Sequence, residues 1–342
     1  MGGVASVSTV SALPLPARKT WRALASVPER SRRGPGSCYM VRGHATTGLL
    51  LLLLFAAWPA CGADELLVRH GSRQRPMLAL TFDLCELSDQ RAGFDGAIVD
   101  VLRANGARAT FFAGGKWMRS HPGRTMQLMA DPAFELGSHA WTHGNFGVLP
   151  EPRMAEQILW TQAQYELLRE ELAHAAPEQG TPERATPGQA TPGQVTPEHG
   201  GAGRLARVPE AIRTFRFPYG RCREQALDML AGHGIAAVQW DVNMMDAAPG
   251  RTAQAISAHV LKNVRPGSIV LGHANGFGHN TAQALAVILP ALAAAGYRTV
   301  TVSELLAAGT PQSARQCYDS RPGDTRQYDA IFGDGTVHPP RK

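Results

Sequence analysis

The sequence predicts an α/β protein, a distorted (β/α) barrel of about seven parallel strands. Three observations carry this. Short runs rich in Val, Ile, Phe and Thr alternate with helical runs from residue 76 onward. That alternation is the pattern of a parallel sheet with crossover helices. Polar residues gather at the carboxyl ends of several different runs, the face on which α/β barrels carry their chemistry.

The expected strands are Met77–Phe82, Ala107–Phe112, Phe134–Ser138, Thr214–Phe217, Ile235–Val242, Ser268–Gly272 and Tyr297–Val302. Helices between them have readable ends. Asp95 is placed to cap Ala97–Asn105 and Gly106 to stop it. Thr252 is placed to cap a helix running to Val264, and Thr281 one over Ala282–Ala295 that ends at Gly296. Met154, Ile158, Tyr165, Leu168 and Leu172 keep helical spacing on the longest helix, about 152–175.

Two segments interrupt or end the pattern. Residues 177–203 repeat Thr-Pro every five residues, at 181, 186, 191 and 196, with nothing apolar to bury. They read as a low-complexity surface insertion, because the alternation resumes after them. Residues 311–342 read as an irregular tail.

The amino-terminal part reads as a leader. Residues 48–58, GLLLLLLFAAW, have the length of a signal-peptide core and are too short to span a membrane comfortably. Arg42 precedes the run, and Cys61 and Ala63 supply small residues for cleavage before Asp64. Met40 therefore reads as the start of a signal peptide over 40–63, with 1–39 an over-extended amino terminus. This makes the protein exported, periplasmic or secreted, with no stable membrane insertion after cleavage.

The charge balance agrees. Net charge is +6, but the first 63 positions hold seven Lys/Arg and one acid, leaving 27 of each sign in the body. The basic excess belongs to the leader, so no nucleic-acid partner is expected.

Four strand ends carry unusual chemistry. Thr81-Phe-Asp83-Leu-Cys85-Glu86 sets acids directly after an apolar strand, where they need solvent or a cation. Ser138-His139-Ala-Trp-Thr-His143 sets two histidines four apart, which on a helical turn share one face and suit metal ligation. Arg216-Phe-Pro218-Tyr219-Gly220 is a rigid turn after a strand, and Leu271-Gly-His273 ends a strand in histidine. Each alone has a bland reading, as a cap, a surface residue or a satisfied core histidine. In this order, at strand ends, they form a set.

This ordered set resembles the polysaccharide deacetylases, the NodB-homology group of carbohydrate esterase family four, over residues 76–308. The resemblance implies a metal-dependent hydrolase that removes acetyl groups from N-acetylated sugars, with a divalent metal, zinc by preference. It implies Asp83 as catalytic base, His139 and His143 as metal ligands and His273 as general acid. Arg216 would orient a carboxylate, and the Tyr219 backbone N–H would help hold the oxyanion. Pro218, Trp240, Asp246 and Asn275 are candidate substrate-binding residues. The substrate implied is a cell-wall or matrix glycan such as peptidoglycan or poly-N-acetylglucosamine. The rival readings are a glycan-binding pseudoenzyme and an O-deacetylase.

The sequence departs from the family in two places. The second aspartate of the first motif, a metal ligand, is Leu84 here. Glu86 is expected to replace it, with Asp83 itself, or two histidines and more water, as alternatives. Cys85 as a soft ligand is disfavoured by an oxidising compartment. In the fourth motif the aspartate that pairs with the catalytic histidine falls on Asn243, with Asp241 or Asp246 as substitutes, and the usual tryptophan is Ala247. Cys85 and Cys222 follow the first and third motifs, and a disulfide between them is expected, with Cys317 incidental.

Overall fold

The computed structural model describes residues 67–174 and 207–333. The proposed signal peptide, the segment before it and the Thr-Pro insertion lie outside the described residues. Ten strands form a curled, half-barrel sheet: β1 Leu67–His70, β2 Met77–Leu84, β3 Ala109–Ala113, β4 Phe134–Ser138, β5 Thr214–Phe215, β6 Ala236–Val238, β7 Val242–Asn243, β8 Ile269–His273, β9 Arg298–Thr299 and β10 Gln312–Ala314. Their order is β10-β1-β6-β5-β4-β3-β2-β8-β7, with β9 beside β2. Every pairing is parallel except β1 with β10.

Helices α1 Gly96–Ala104, α2 Gly115–Ser120, α3 Pro122–Ala130, α4 Glu151–His174, α5 Glu224–Gly232, α6 Ala253–Asn263, α7 Thr281–Ala294 and α8 Val302–Ala307 connect the strands. No helix among the described residues is long and apolar enough to cross a membrane.

β2 is the centre of the sheet and shows the period of two that a strand imposes. Leu78, Leu80, Phe82 and Leu84 pack outward with Ile98 and Leu102 of α1 and Leu285 and Ile288 of α7. Met77 and Ala79 face the other way, among Phe112, Val238, Trp240, Ile269 and Leu271. All eight residues of β2 are buried. Each large apolar side chain buried this way contributes about 1.5–3 kcal/mol.

The run expected as one strand over Ile235–Val242 is two. Its first half, β6, pairs with β1 and β5, whereas its second half, β7, pairs with β8. The chain thereby crosses between the two ends of the curled sheet, and Asp241 fastens the crossing. Its carboxylate accepts the Ile269 N–H (2.8 Å) and the Ser268 hydroxyl (2.9 Å) and pairs with Arg73 (2.7 Å).

The caps follow local chemistry with two changes. The Thr252 hydroxyl accepts the Ala255 N–H, as a capping threonine should. Asp95 sits at its cap position without a side-chain bond. Thr281 is the first residue of α7 rather than its cap, because its hydroxyl is drawn to Asp246.

The carboxyl-terminal segment is not an irregular tail within the described residues. It forms β10 and a 3₁₀ turn over Asp324–Ala330, and a disulfide ties Cys317 to Cys222, with Cα atoms 5.6 Å apart. The expected Cys85–Cys222 bridge is therefore corrected: Cys85 is a buried free thiol. Tyr318 carries the segment across Gly220. That glycine has a φ of +57°, and any Cβ there would meet the Tyr318 carbonyl.

Candidate active site

Four strand ends bring the site together. Asp83 near the end of β2 stands in register opposite His273 at the end of β8. β4 delivers Ser138 and then His139, and β5 delivers Arg216.

Arg216 is fully buried and fixed on all sides. Its Nη1 donates to Asp83 Oδ1 at 2.9 Å, and Nη2 and Nε donate to the Gln239 and Val238 carbonyls. The guanidinium lies over the Phe112 ring, 4.1 Å from its centroid. Burial lowers the Arg216 pKa even though the Asp83 charge and hydrogen bond raise it. The other Asp83 oxygen, Oδ2, faces His139 Nε2 at 3.4 Å.

The two histidines meet, but not on a helical face. Ala140 and His143 have φ of 65° and 57°, so the segment turns through left-handed residues. The rings still approach, with centroids 4.8 Å apart. His139 Nδ1 lies 2.9 Å from the Arg216 carbonyl, which makes Nδ1 the protonated nitrogen and leaves Nε2 as a donor atom. His143 Nδ1 is buried with no hydrogen-bond partner among the described residues. Burial lowers the pKa of both, and for His143 the neighbouring His139 and His273 charges add to the effect. Neutral imidazoles are the form that ligates metal.

A third donor joins them. Cys85 Sγ and the two histidines present ligand atoms that all lie within 4.8 Å of one another. Glu86, expected in this role, is engaged elsewhere. Its carboxylate accepts the Ser120 hydroxyl (2.7 Å) and the Ala92 N–H (3.2 Å) and pairs with Lys116 (3.3 Å). A soft sulfur, two neutral imidazoles and a buried unpartnered nitrogen suit a divalent transition metal.

On the other side, His273 Nδ1 meets Asp246 Oδ1 at 2.8 Å. Asp246 Oδ2 accepts the His273 backbone N–H and the Thr281 hydroxyl, each at 2.8 Å. Burial lowers the His273 pKa, but the hydrogen bond and charge of Asp246 outweigh it and the net shift is upward. Asn243 takes no part in this pair. Its Oδ1 accepts the Met245 N–H, and its amide donates to Asp319.

The comparisons with known proteins fit this geometry. The sequence profile of the family described as polysaccharide deacetylase matches residues 70–184. Over that stretch, roughly a third of its length, the chain is similar to the polysaccharide deacetylases. It is 27% identical over 237 residues to a peptidoglycan-N-acetylglucosamine deacetylase of Bacillus cereus, covering 69% of this chain and 70% of the relative. It is 29% identical over 240 residues to a chitooligosaccharide deacetylase of Rhizobium leguminosarum bv. phaseoli, covering 65% and 86%. Two crystal structures share the fold. One is a peptidoglycan N-acetylglucosamine deacetylase (TM-score 0.55, 24% identity, 71% of this chain and 94% of that one). The other is a pseudoenzyme of carbohydrate esterase family four from Bacillus anthracis (TM-score 0.52, 20% identity, 70% and 68%).

The four expected substrate contacts are buried in this structure. Trp240 is 4% exposed, and its indole N–H donates to the Asp319 carbonyl. Pro218 is buried at the start of a 3₁₀ turn. Asp246 is spent on His273. Asn275 donates to the Cys85 carbonyl (2.9 Å) and sulfur (3.0 Å). The side-chain polar groups of Trp240, Asp246 and Asn275 are thus engaged within the protein.

Tyr219 has a φ of 58°, and its ring lies between His143 (4.4 Å) and Phe332 (4.0 Å). Phe332, in the segment read as an irregular tail, is a wall residue that the sequence reading missed. Only the Cys317 thiol signalled that this segment is anchored.

Proposed function

We propose that this protein is an exported, metal-dependent deacetylase that hydrolyses N-acetyl groups of a cell-wall or matrix glycan of the peptidoglycan or poly-N-acetylglucosamine type. As a polysaccharide deacetylase it is a hydrolase acting on carbon–nitrogen bonds. The observation that carries the reading is the register of Asp83 opposite His273, a carboxylate and an imidazole on adjacent strand ends with the histidine pair beside them.

His139 and His143 would hold the metal, zinc by preference. A bound divalent cation polarises an acetyl carbonyl and eases ionisation of the attacking water. Arg216 holds the Asp83 carboxylate in a fixed direction, and Asp83 takes the proton as water adds to the carbonyl carbon. The Tyr219 backbone N–H is a donor for the oxyanion. His273 carries its Nδ1 proton towards Asp246, which leaves Nε2 to protonate the sugar nitrogen as the C–N bond breaks. Acetate and a free amino sugar leave.

Export is supported by the signal-peptide reading of 40–63, by the cell-wall substrates named for the relatives and by the Cys222–Cys317 bridge, which suits an oxidising compartment.

Acetate release is the test, measured on a panel of N-acetylated glycans, with chelator and then with zinc restored. Metal-dependent release supports the proposal. Glycan binding without release on any substrate would turn the reading to a pseudoenzyme, and faster release from O-acetyl esters would turn it to an O-deacetylase.

A further inference from the structure

The first motif lacks the second aspartate that the family resemblance leads one to expect as a metal ligand, and the strand geometry decides what stands in its place. Side chains of β2 alternate, so Leu84 shares the outward face with Leu80 and Phe82 and is fully buried among them. Position 84 is turned into the helix-facing core. Asp83 looks to the other face, towards Arg216 and His139, and two residues on so does Cys85. The residue following Leu84 therefore presents its side chain beside the histidines.

The surroundings of Cys85 are those of a held ligand. Its sulfur and the two imidazoles offer three donor atoms within 4.8 Å of one another. The Asn275 amide fixes it through two bonds, one to the backbone carbonyl and one to the sulfur. His139 is oriented likewise by the Arg216 carbonyl. Such outer partners set the direction of metal ligands. His143 brings a buried nitrogen that nothing among the described residues satisfies. The protein's disulfide uses the other two described cysteines, so Cys85 remains a thiol.

We infer that the metal of this site is held by a thiolate, with Cys85 Sγ joining His139 and His143 in place of a carboxylate. The inference rests on the reading of the site as metal-dependent. Binding releases the thiol proton to solvent, because the thiolate is the ligand. Three protein donors leave an open position, as hydrolytic sites require. The donor set favours zinc, cobalt or cadmium over magnesium, calcium or manganese. It also leaves Asp83 outside the ligand set, bound to Arg216 and available as base.

X-ray absorption of the zinc-loaded, full-length wild-type protein reads the ligands without any substitution. A sulfur scatterer at about 2.3 Å beside nitrogen at about 2.0–2.1 Å is expected. A first shell of nitrogen and oxygen alone overturns the inference while leaving the deacetylase reading intact. The cobalt-loaded protein is expected to show a sulfur-to-cobalt charge-transfer band in the near ultraviolet. Cys85→Ser should abolish that band and weaken zinc binding at least tenfold, because even outer partners of a metal site are worth about 10- to 100-fold. Glu86→Gln should change neither; loss of zinc in Glu86→Gln with retention in Cys85→Ser overturns the inference. Failure of both metals to bind the wild-type protein would remove the metal-dependent reading, and the thiolate with it.

Discussion

Asp246 grips His273 at two points: Oδ1 meets the ring Nδ1, and Oδ2 accepts the backbone N–H of the same residue, both at 2.8 Å. The ring is thus held in one tautomer and one orientation. Asp246→Asn would keep the shape and lose the charge that raises the His273 pKa. In the proposed mechanism His273 must be protonated to donate to the leaving nitrogen, so activity should fall as pH rises through its raised pKa. In Asp246→Asn that alkaline fall should move to lower pH, and kcat should drop on the order of a hundredfold. A pH profile of kcat/KM on an N-acetylated glycan measures both. Stability has a matching sign. The His273 contribution is full below the ordinary histidine value of 6.5 and is lost as pH rises through the folded value.

Arg216 and Asp83 are a buried ion pair at 2.9 Å, both nearly inaccessible to solvent. Removing the cation leaves the carboxylate buried with its main partner gone. Arg216→Ala should therefore cost about 3–5 kcal/mol of stability, read as a lower urea midpoint. Arg216→Lys should recover part of the stability but little activity. A lysine supplies a point charge without the planar fork that spans Asp83 and the Gln239 carbonyl.

Leu84→Asp tests the strand geometry directly. On the motif alone this substitution restores a family aspartate and should raise activity. In the structure it drives a carboxylate into the cluster of Leu80, Phe82 and Ile98. The expected result is a loss of about 3 kcal/mol or more, with no gain in zinc affinity. Thermal unfolding and zinc titration of the same preparation separate the two outcomes.

How far the sequence could be read follows the same division between local and long-range information. The β2 and β8 runs were legible as short, buried apolar runs, and α4 from the helical spacing of its buried residues. The ordered motifs placed Asp83, His139, His143, Arg216 and His273 at strand ends, which is where these side chains meet. The partners of those residues were not legible. Glu86 lies one residue from Cys85, yet only the positions of Ser120 and Lys116 reveal that its carboxylate is engaged. Asp246 rather than Asn243 reaches His273 because β7 ends at Asn243 and the chain turns back through Met245, at a φ of 61°. The Cys222–Cys317 pairing spans 95 residues, and no local pattern encodes it.

That pairing carries the last prediction. The bridge fixes a segment whose contacts run along one wall of the site. The Tyr318 hydroxyl donates to the Trp240 carbonyl (2.7 Å), Arg221 pairs with Asp329 (2.6 Å), and Phe332 stacks on Tyr219. Replacing both cysteines by alanine should cost about 2–4 kcal/mol, chiefly by freeing the unfolded chain. It should also raise KM more than it lowers kcat. Tyr219 and Phe332 would lose their fixed stacking, whereas Asp83, Arg216 and His273 are held by strands away from the bridge. Nonreducing peptide mapping of the wild-type protein should recover Cys222 linked to Cys317 and Cys85 as a thiol. Recovery of Cys85 in a disulfide would contradict both this wall and the free sulfur on which the metal site depends.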